Sequence, residues 1–158
     1  MRRHDREVSE RAKIDEIIES CDCLRLGLNA EDGAYIVPLS FGYAPEEIAK
    51  FYFHSATEGR KVSMIGDGAK AGFEMDSAHR LGEAELGCKH TYFFKSVISV
   101  IGTGTVRPVA DLEEKKRALA LIMVHYRKDR AFSFTDEQAR TVAVFCLKVD
   151  QMTAKEHV

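Results

Sequence analysis

A β-hairpin signal in the first third of the chain constrains the fold most strongly. Leu24, Leu26 and Leu28 alternate with polar or small residues, which is the period of a strand with one buried face. Glu31-Asp32-Gly33 then provides a turn, and residues 34–43 are predicted to form the returning strand. Strands that arrive as hairpins indicate an antiparallel sheet instead of a series of regular βαβ units.

The rest of the chain predicts more strands and a small number of helices. Six or more strands in hairpin order favour a single mainly β (α+β) domain over residues 1–158, with an antiparallel barrel or sandwich and helices at its ends. Residues 77–89 are polar and predict a mobile loop, and residues 127–140 predict a charged connector. The predicted strands are 48–54, 69–75, 92–109 and 141–149, of which 92–109 is expected to form one long bent strand or two. The predicted helices are 9–20, 58–65 and 111–126.

Several single residues indicate local features within these elements. Pro38 lies inside a predicted strand, where it favours an edge, a bulge or a break that faces a ligand. Gly102 and Gly104 indicate a bulge or a close backbone approach inside a long strand. Ser9 and Asp111 are predicted N-caps of the first and last long helices.

The segment 51–61 has the residue types of a ligand-binding site. An apolar aromatic run ends at His54-Ser55-Ala56, and Arg60-Lys61 opens the next predicted helix after a turn of small residues. A helix start carries unpaired N–H groups and partial positive charge, to which Arg60 and Lys61 would add full charges. The segment therefore predicts an anion site, with phosphate as the expected guest.

Composition narrows the classes of protein that fit. The formal net charge of -2 argues against a general nucleic-acid binder. The sequence contains neither G-x-G-x-x-G nor G-x-x-x-x-G-K-[ST], so it supports neither Rossmann nor P-loop binding. No apolar run approaches the length of a membrane span, and no export signal is recognised. We therefore expect a cytoplasmic protein that does not bind membranes.

The four cysteines are predicted to be thiols. Cys21-x-Cys23 and Cys88-Lys89-His90 invite a zinc interpretation, but structural zinc sites usually separate their ligands by two to four residues and not by one. Cys21 and Cys23 are therefore interpreted as small buried side chains near a strand start, and no metal site is predicted.

Two motifs in this order resemble the flavin mononucleotide-binding split barrels related to pyridoxamine 5'-phosphate oxidase, and most of all their nitroimidazole-resistance branch. The first is Val37-Pro38-Leu39-Ser40-Phe41-Gly42-Tyr43. The second is Tyr52-Phe53-His54-Ser55-Ala56 followed by Gly59-Arg60-Lys61. Ser99-Val100-Ile101-Gly102-x-Gly104 continues the match. Where the family often has an aromatic residue two positions before this last run, the chain has Val97, which puts the substrate side of the pocket in doubt.

The resemblance implies a six- to seven-stranded antiparallel split β-barrel that forms a homodimer with two FMN sites at the subunit interface. The flavin ring would lie along residues 37–40, and the phosphate would lie among His54, Ser55, Arg60 and Lys61. The cofactor-binding residues implied in this way are Val37, Pro38, Leu39, Ser40, His54, Ser55, Ala56, Arg60, Lys61 and Ser99.

The function expected from these residues is that of an FMN-dependent oxidoreductase. It would reduce a small electron-poor acceptor, nitro-aromatic or quinone-like, with NAD(P)H as a possible donor. His54 is the candidate proton donor, because its unperturbed pKa is near neutral. Pyridoxamine phosphate oxidase activity itself is disfavoured, since no second cluster of Arg, Lys and Ser of comparable quality is present. The alternatives are a non-catalytic module that binds flavin or haem, with His54 or His90 as an axial ligand, and a phosphate-binding regulatory domain.

Overall fold

The computed structural model describes residues 4–83 and 92–157, with side chains described for 5–78 and 98–157. A short 3-10 turn, His4–Arg6, precedes the first strand. The described strands are β1 (Glu7–Val8), β2 (Leu24–Ala30), β3 (Gly33–Leu39), β4 (Gly42–Ala44), β5 (Lys50–Ser55), β6 (Ala69–Glu83), β7 (Tyr92–Pro108) and β8 (Ala143–His157), and the helices are α1 (Arg11–Ser20), α2 (Arg60–Ile65), α3 (Leu112–Tyr126) and α4 (Asp136–Arg140).

The strands form one antiparallel sheet that curls back on itself. Seven strands follow the order β3-β2-β6-β7-β8-β5-β4, and β1 pairs with β8. In a flat sheet β3 and β4 would lie about 29 Å apart, six spacings of about 4.8 Å. Only Ser40 and Phe41 join them, and that link spans at most about 11 Å. The sheet must therefore roll into an open, split barrel, as the sequence predicted, with one strand more than expected.

Alternation along the strands divides the apolar residues between two cores. The barrel interior is filled by side chains that include Leu26, Phe51, Phe73 and Leu147. A second core lies on the outer face of the sheet, where α3 and α4 cover Tyr52 and its neighbours. The members of this second core are Ala44, Tyr52, Val109, Ala118, Leu119, Ile122, Ala139 and Val144.

Gly102 and Gly104 mark a close approach of backbones inside β7, as predicted. A Cβ on Gly102 would lie 2.3 Å from Cζ of Phe73, and one on Gly104 would lie 2.4 Å from the Lys148 carbonyl oxygen. The β7–β8 register shifts between Thr103 and Gly104. The predicted cap of α3 is also confirmed, because Asp111 accepts a hydrogen bond from the Glu114 amide at 2.8 Å.

Several sequence-based boundaries were wrong. α1 begins at Arg11 behind Glu10, which makes no side-chain capping bond, so Ser9 is not the N-cap. Residues 77–83 continue β6 instead of forming a loop, while residues 84–89 lie outside the described part. The connector contains α4, and β8 runs on to His157. β6 and β8 extend beyond the residues that show an apolar alternation because their outer halves pair with β7. This pairing provides hydrogen bonds for the backbone N–H and C=O groups, whatever the side chains are.

The returning strand is also shorter than predicted. Residues 34–43 do not form one strand: β3 ends at Leu39 and β4 starts at Gly42. The break coincides with the change from one end of the sheet to the other. Pro38 lies one residue before this break on an edge strand, as its missing N–H predicts.

Candidate functional site

The start of α2 brings two cations to the rim of the barrel. Gly59 is the N-cap, and its φ of +126° is a conformation that favours glycine. No atom lies within 4 Å of a Cβ placed there, so the constraint is conformational and not steric. The turn thus sets the direction in which Arg60 and Lys61 leave the backbone.

Arg60 reaches the β2–β3 hairpin. Its Nη2 donates to Oδ1 of Asp32 at 2.7 Å, and its guanidinium lies 4.8 Å from the centroid of the Tyr35 ring. Asp32 belongs to the two-residue turn that closes the hairpin. A groove of about 420 Å³ beside this pair is lined by residues of the hairpin together with Arg60 and Met64. Arg60 therefore lies within reach of β3, the strand predicted to hold the ring.

Lys61 turns toward the end of β5. Its Nζ lies 5.5 Å from the centroid of the Phe53 ring. The residue is half-buried, and burial lowers the pKa of its ammonium group. Lys61 makes no ion pair with any residue for which side chains are described. A desolvated cation with no counterion beside a second cation is suited to an anionic guest.

The two faces of β3 differ in burial, since one packs on the barrel core and the other is exposed. Tyr35, Val37 and Leu39 pack on the barrel core, and Leu39 is buried. Ile36 and Pro38 lie on the exposed outer face. Because β3 pairs only with β2, the backbone groups on its other edge have no strand partner among the described residues. The Leu39 side chain is thus committed to the core, and only its backbone could meet a ligand.

The link between β3 and β4 is held by the end of α3. The Tyr126 hydroxyl accepts from the Phe41 amide at 3.1 Å and donates to the Asp22 carbonyl at 2.8 Å. Phe41, the neighbour of the site residue Ser40, is thereby held by a helix that is remote in sequence.

His125 supports the same link from the inner side. Its Nε2 lies 2.7 Å from the Cys21 carbonyl oxygen, and its ring lies 4.2 Å from the Phe41 ring, centroid to centroid. Burial lowers the pKa of this histidine, and Lys128 acts in the same direction. Nε2 therefore carries the proton in the neutral tautomer, which is the form that donates to a carbonyl.

The predicted residues at the end of β5 separate by face. Ser55 follows Phe53 on the inner face, whereas His54 is exposed on the outer face opposite Val144. The His54 side chain makes no hydrogen bond or ion pair with the described side chains. Ala56 is exposed just beyond the strand. His54 and Ser55 therefore point to opposite sides of the sheet.

Ser99 lies on the outer face of β7. It pairs with Asp76 of β6 and Lys155 of β8. The same face carries Ile101, which is 52% exposed. One row of paired residues runs across the sheet from Ile101 on β7 to Pro38 on β3, through Glu74 on β6 and Arg25 on β2. Pro38 and Ser99 thus share the outer surface, while Val37 and Ser55 face inward.

Sequence reasoning missed Asp32 and Tyr35 as neighbours of Arg60. Asp32 was interpreted only as a turn residue, and the hairpin register that brings it toward α2 is a tertiary property. A signal for Tyr35 was present, because it precedes Val37 by two residues and so shares its face. His125 and Tyr126 gave no signal, since only the folded chain brings them to Phe41 and Ser40.

The cysteines give no sign of a metal centre in the described part of the chain. Cys21, Cys23 and Cys146 are free thiols, and burial raises the pKa of Cys21 to about 11. Across residues 4–83 and 92–157, no group of three or more His, Cys, Asp or Glu residues is arranged to hold a metal ion. Cys88 and His90 lie outside this part. Within the same ranges, no helix is both long and apolar enough to cross a membrane.

An open antiparallel barrel with a cationic helix start on its rim defines the split-barrel class. A family model described as pyridoxamine 5'-phosphate oxidase matches residues 10–156, and the chain belongs to this family. Among the curated proteins, none matches the chain significantly.

Solved structures agree with this assignment. A candidate 5-nitroimidazole antibiotic resistance protein from Bacteroides thetaiotaomicron is 32% identical, with a TM-score of 0.77 over 95% of this chain and 86% of that one. The FAD and haem binding protein from Mycobacterium smegmatis has a TM-score of 0.80 at 16% identity, over 96% of this chain and 73% of that one. The flavocytochrome Anf3 from Azotobacter vinelandii has a TM-score of 0.78 at 15% identity, over 100% and 72%. The last two likenesses concern the fold alone.

Proposed function

We propose that this protein binds FMN, with the phosphate between Arg60 and Lys61. The proposal depends on one observation: Lys61 is a half-buried cation next to Arg60 in sequence, and it has no counterion among the described side chains. A phosphate would supply the missing charge, and Arg60 could meet its oxygens as a fork while Lys61 acts as a point charge. Ser55, on the same face as Phe53, and the backbone at Ala56 are the neutral groups within the same segment.

The ring is assigned to the free edge of β3, along residues 37–40. Val37 lines the inner face there, while the backbone of this edge has no strand partner in the described part of the chain. Pro38 removes one donor from that edge, which leaves carbonyl groups to face the ring's N–H. Tyr126 accepts a hydrogen bond from the amide of Phe41, the residue after Ser40, and so holds the chain at the end of this edge. When bound, the flavin supplies hydride transfer to and from an acceptor.

A second copy of the chain is expected to complete the site. Ile36 is 64% exposed and Ile101 is 52% exposed, and both lie on the outer face of the β3-β2-β6-β7 part of the sheet. Gly27 and Gly72 occupy the row between Ile36 and Thr103, which leaves that row flat. In the next row the Arg25–Glu74 ion pair lies between Pro38 and Ile101. Exposed apolar side chains such as Ile36 and Ile101 favour a protein interface. Pro38 and Ser99 on that face would then meet the partner subunit and its flavin.

The proposed reaction is reduction of a small nitro-aromatic or quinone-like acceptor, with NADH or NADPH as donor. Support comes from the relative at 32% identity, which is described as a candidate nitroimidazole resistance protein. His54 stays the candidate proton donor, since it is exposed and uncommitted. Its outer-face position means that it would act on a substrate that approaches from that side and not beside Ser55.

The test is the absorption spectrum of the purified protein, followed by reconstitution with FMN, FAD and haem in parallel. We expect stoichiometric retention of FMN on gel filtration and turnover of a nitro-aromatic acceptor with a nicotinamide donor. Retained FMN without turnover would identify a non-catalytic flavin module. A Soret band with no retained flavin would favour the haem alternative, and retention of FAD over FMN would contradict the cofactor assignment.

A further inference from the structure

A second group of cations lies on the outer face of β5, β8 and β7, and none of them is assigned to the flavin. Two rows of the register define it. Lys50 pairs with Lys148, which pairs with Thr105, and Tyr52 pairs with Cys146, which pairs with Arg107. Lys50 and Lys148 therefore lie directly opposite each other on adjacent strands, an arrangement that destabilises a sheet when nothing compensates it.

All of these residues except Tyr52 line a cavity of about 630 Å³. The first turn of α3 forms the opposite wall with Asp111 and Glu114, and Pro108, Val109 and Ala110 provide an apolar side. The cavity is larger than the groove of about 420 Å³ beside Arg60, and none of the residues assigned to the flavin lines it. It is therefore a separate place on the molecule.

The acidic groups of this cavity are already committed to other partners. Asp111 caps α3, Glu114 accepts from the Tyr52 hydroxyl at 3.0 Å, and Asp150 pairs with Lys70 at 2.7 Å. Lys50 is likewise held by Glu46 at 2.6 Å. Asp150 and Lys50 are thus neutralised by ion pairs, whereas Asp111 and Glu114 keep their charge on the wall opposite the strands.

The two remaining cations are not committed in this way. Arg107 and Lys148 form no ion pair and no side-chain hydrogen bond with the described side chains, and both are exposed toward the cavity that they line. They lie on neighbouring strands with Cys146 and Thr105 between them in the register. An arginine and a lysine without ion-pair partners on one wall of an open cavity are the residue types that bind a phosphate group.

We propose that this cavity is a second anion site, which binds a phosphate group through Arg107 and Lys148. The group could be free phosphate or the end of a small phosphate ester, whose organic part would lie against Pro108, Val109 and Ala110. The site is independent of the flavin proposal, since it uses different cations and none of the residues assigned to the flavin. Neither function requires the other.

The experiment is residue-resolved NMR of the ¹⁵N-labelled full-length protein at constant ionic strength. Inorganic phosphate and phenyl phosphate are titrated separately, with chloride as the balancing anion. We expect saturable shifts at the amides of Arg107, Ala110 and Lys148, with a dissociation constant of about 1 mM or tighter for at least one probe. The probe that binds more tightly identifies the source of the phosphate. The amides of Arg60 and Lys61 report the flavin-phosphate site separately.

The variants are Lys148→Gln and Arg107→Gln, with Lys128→Gln as the matched control. Lys128 pairs with Glu19 near the far end of α3, so its loss changes the net charge equally without touching the cavity. Each cavity variant should weaken binding by at least about 5-fold, and the control by less than about 2-fold. The proposal is overturned if neither probe gives saturable shifts at the cavity, or if both cavity variants bind as tightly as the control.

Discussion

The guanidinium of Arg60 already has an anionic partner in the flavin-free protein. Its Nη2 donates a hydrogen bond to Oδ1 of Asp32 at 2.7 Å. Any phosphate that binds Arg60 must compete with Asp32 for it. Both groups are more than half exposed, so the pair contributes only about 0.2–1 kcal/mol. The contact therefore lowers affinity for a phosphate without preventing its binding.

Replacing Asp32 should strengthen FMN binding. In Asp32→Asn the competing charge is lost, and we expect FMN to bind about 2- to 5-fold more tightly, which corresponds to the free energy of an exposed ion pair. Riboflavin, which has no phosphate, should bind unchanged. Isothermal titration measures both. Asp129→Asn, which removes an exposed partner of Arg127, is the control and should change neither. Weaker FMN binding in Asp32→Asn would contradict the competition.

Replacing Lys61 should weaken FMN binding and leave the free protein as stable or more stable. In Lys61→Met the charge is lost while the packing against Phe53 is retained. We expect at least about 10-fold weaker FMN binding, the scale of a hydrogen bond to a charged group. The measurement pairs a flavin titration with urea unfolding of the flavin-free protein.

The pH dependence of that stability has a definite sign. Because the pKa of Lys61 is lowered on folding, the unfolded chain binds more protons between the folded pKa and 10.5, and stability rises with pH in that window. The advantage of Lys61→Met over the natural protein should therefore be largest at neutral pH and shrink toward alkaline pH. An advantage that grows with pH would contradict the assignment of the burial cost to Lys61.

His125 should make the protein sensitive to acid. Its pKa is lowered mainly by burial and also by Lys128, while the Cys21 carbonyl, Glu19 and Asp22 act in the opposite direction. The unfolded chain therefore binds a proton first as the pH falls below about 6.5, and stability is lost from there down to the folded pKa. Urea unfolding at a series of pH values from about 7.5 downward through 6.5 should show a smaller loss of stability in His125→Gln than in the natural protein. Equal slopes for the two proteins would show that His125 does not carry the effect.

Gly102 should not tolerate a side chain. A Cβ at this position would meet both the Phe73 ring at 2.3 Å and the Gln151 carbonyl oxygen at 2.6 Å, so Gly102→Ala should lower the free energy of unfolding by about 1–3 kcal/mol. Gly27→Ala is the matched control, because its Cβ would meet only the Gly72 carbonyl oxygen at an ordinary 3.6 Å. Chemical unfolding compares the two. A Gly102→Ala protein as stable as Gly27→Ala would mean that β7 and β8 can separate at this point.

The hairpin architecture and the cationic helix start could be predicted from sequence because both are local. Alternation from Leu24 to Leu28 and the turn at Asp32 determine the β2–β3 pair. Arg60 and Lys61 open α2 behind Gly59, two residues later than the predicted helix start at residue 58. The split barrel itself followed from the order of motifs and not from periodicity. Its physical cause is the two-residue link at Ser40 and Phe41, which forces the ends of the sheet together.

What could not be predicted depends on contacts between distant segments. The extension of β6 through residues 77–83 is imposed by pairing with β7, although the side chains there are polar. Tyr126 meets the Phe41 amide across 85 positions of sequence, and Arg60 meets Asp32 across 28. The separation of His54 from Ser55 is different, since strand alternation alone could have shown that their side chains point to opposite faces.

The central claim is that Arg60 and Lys61 hold the phosphate of a flavin. The most direct test compares the affinities of FMN and riboflavin for the natural protein and for the double variant Arg60→Ala, Lys61→Met. FMN should bind at least about 30-fold more tightly than riboflavin, and the double variant should lose most of this difference while its riboflavin affinity is unchanged. Equal affinities of the natural protein for the two flavins, or a preference for FMN that survives in the double variant, would contradict it.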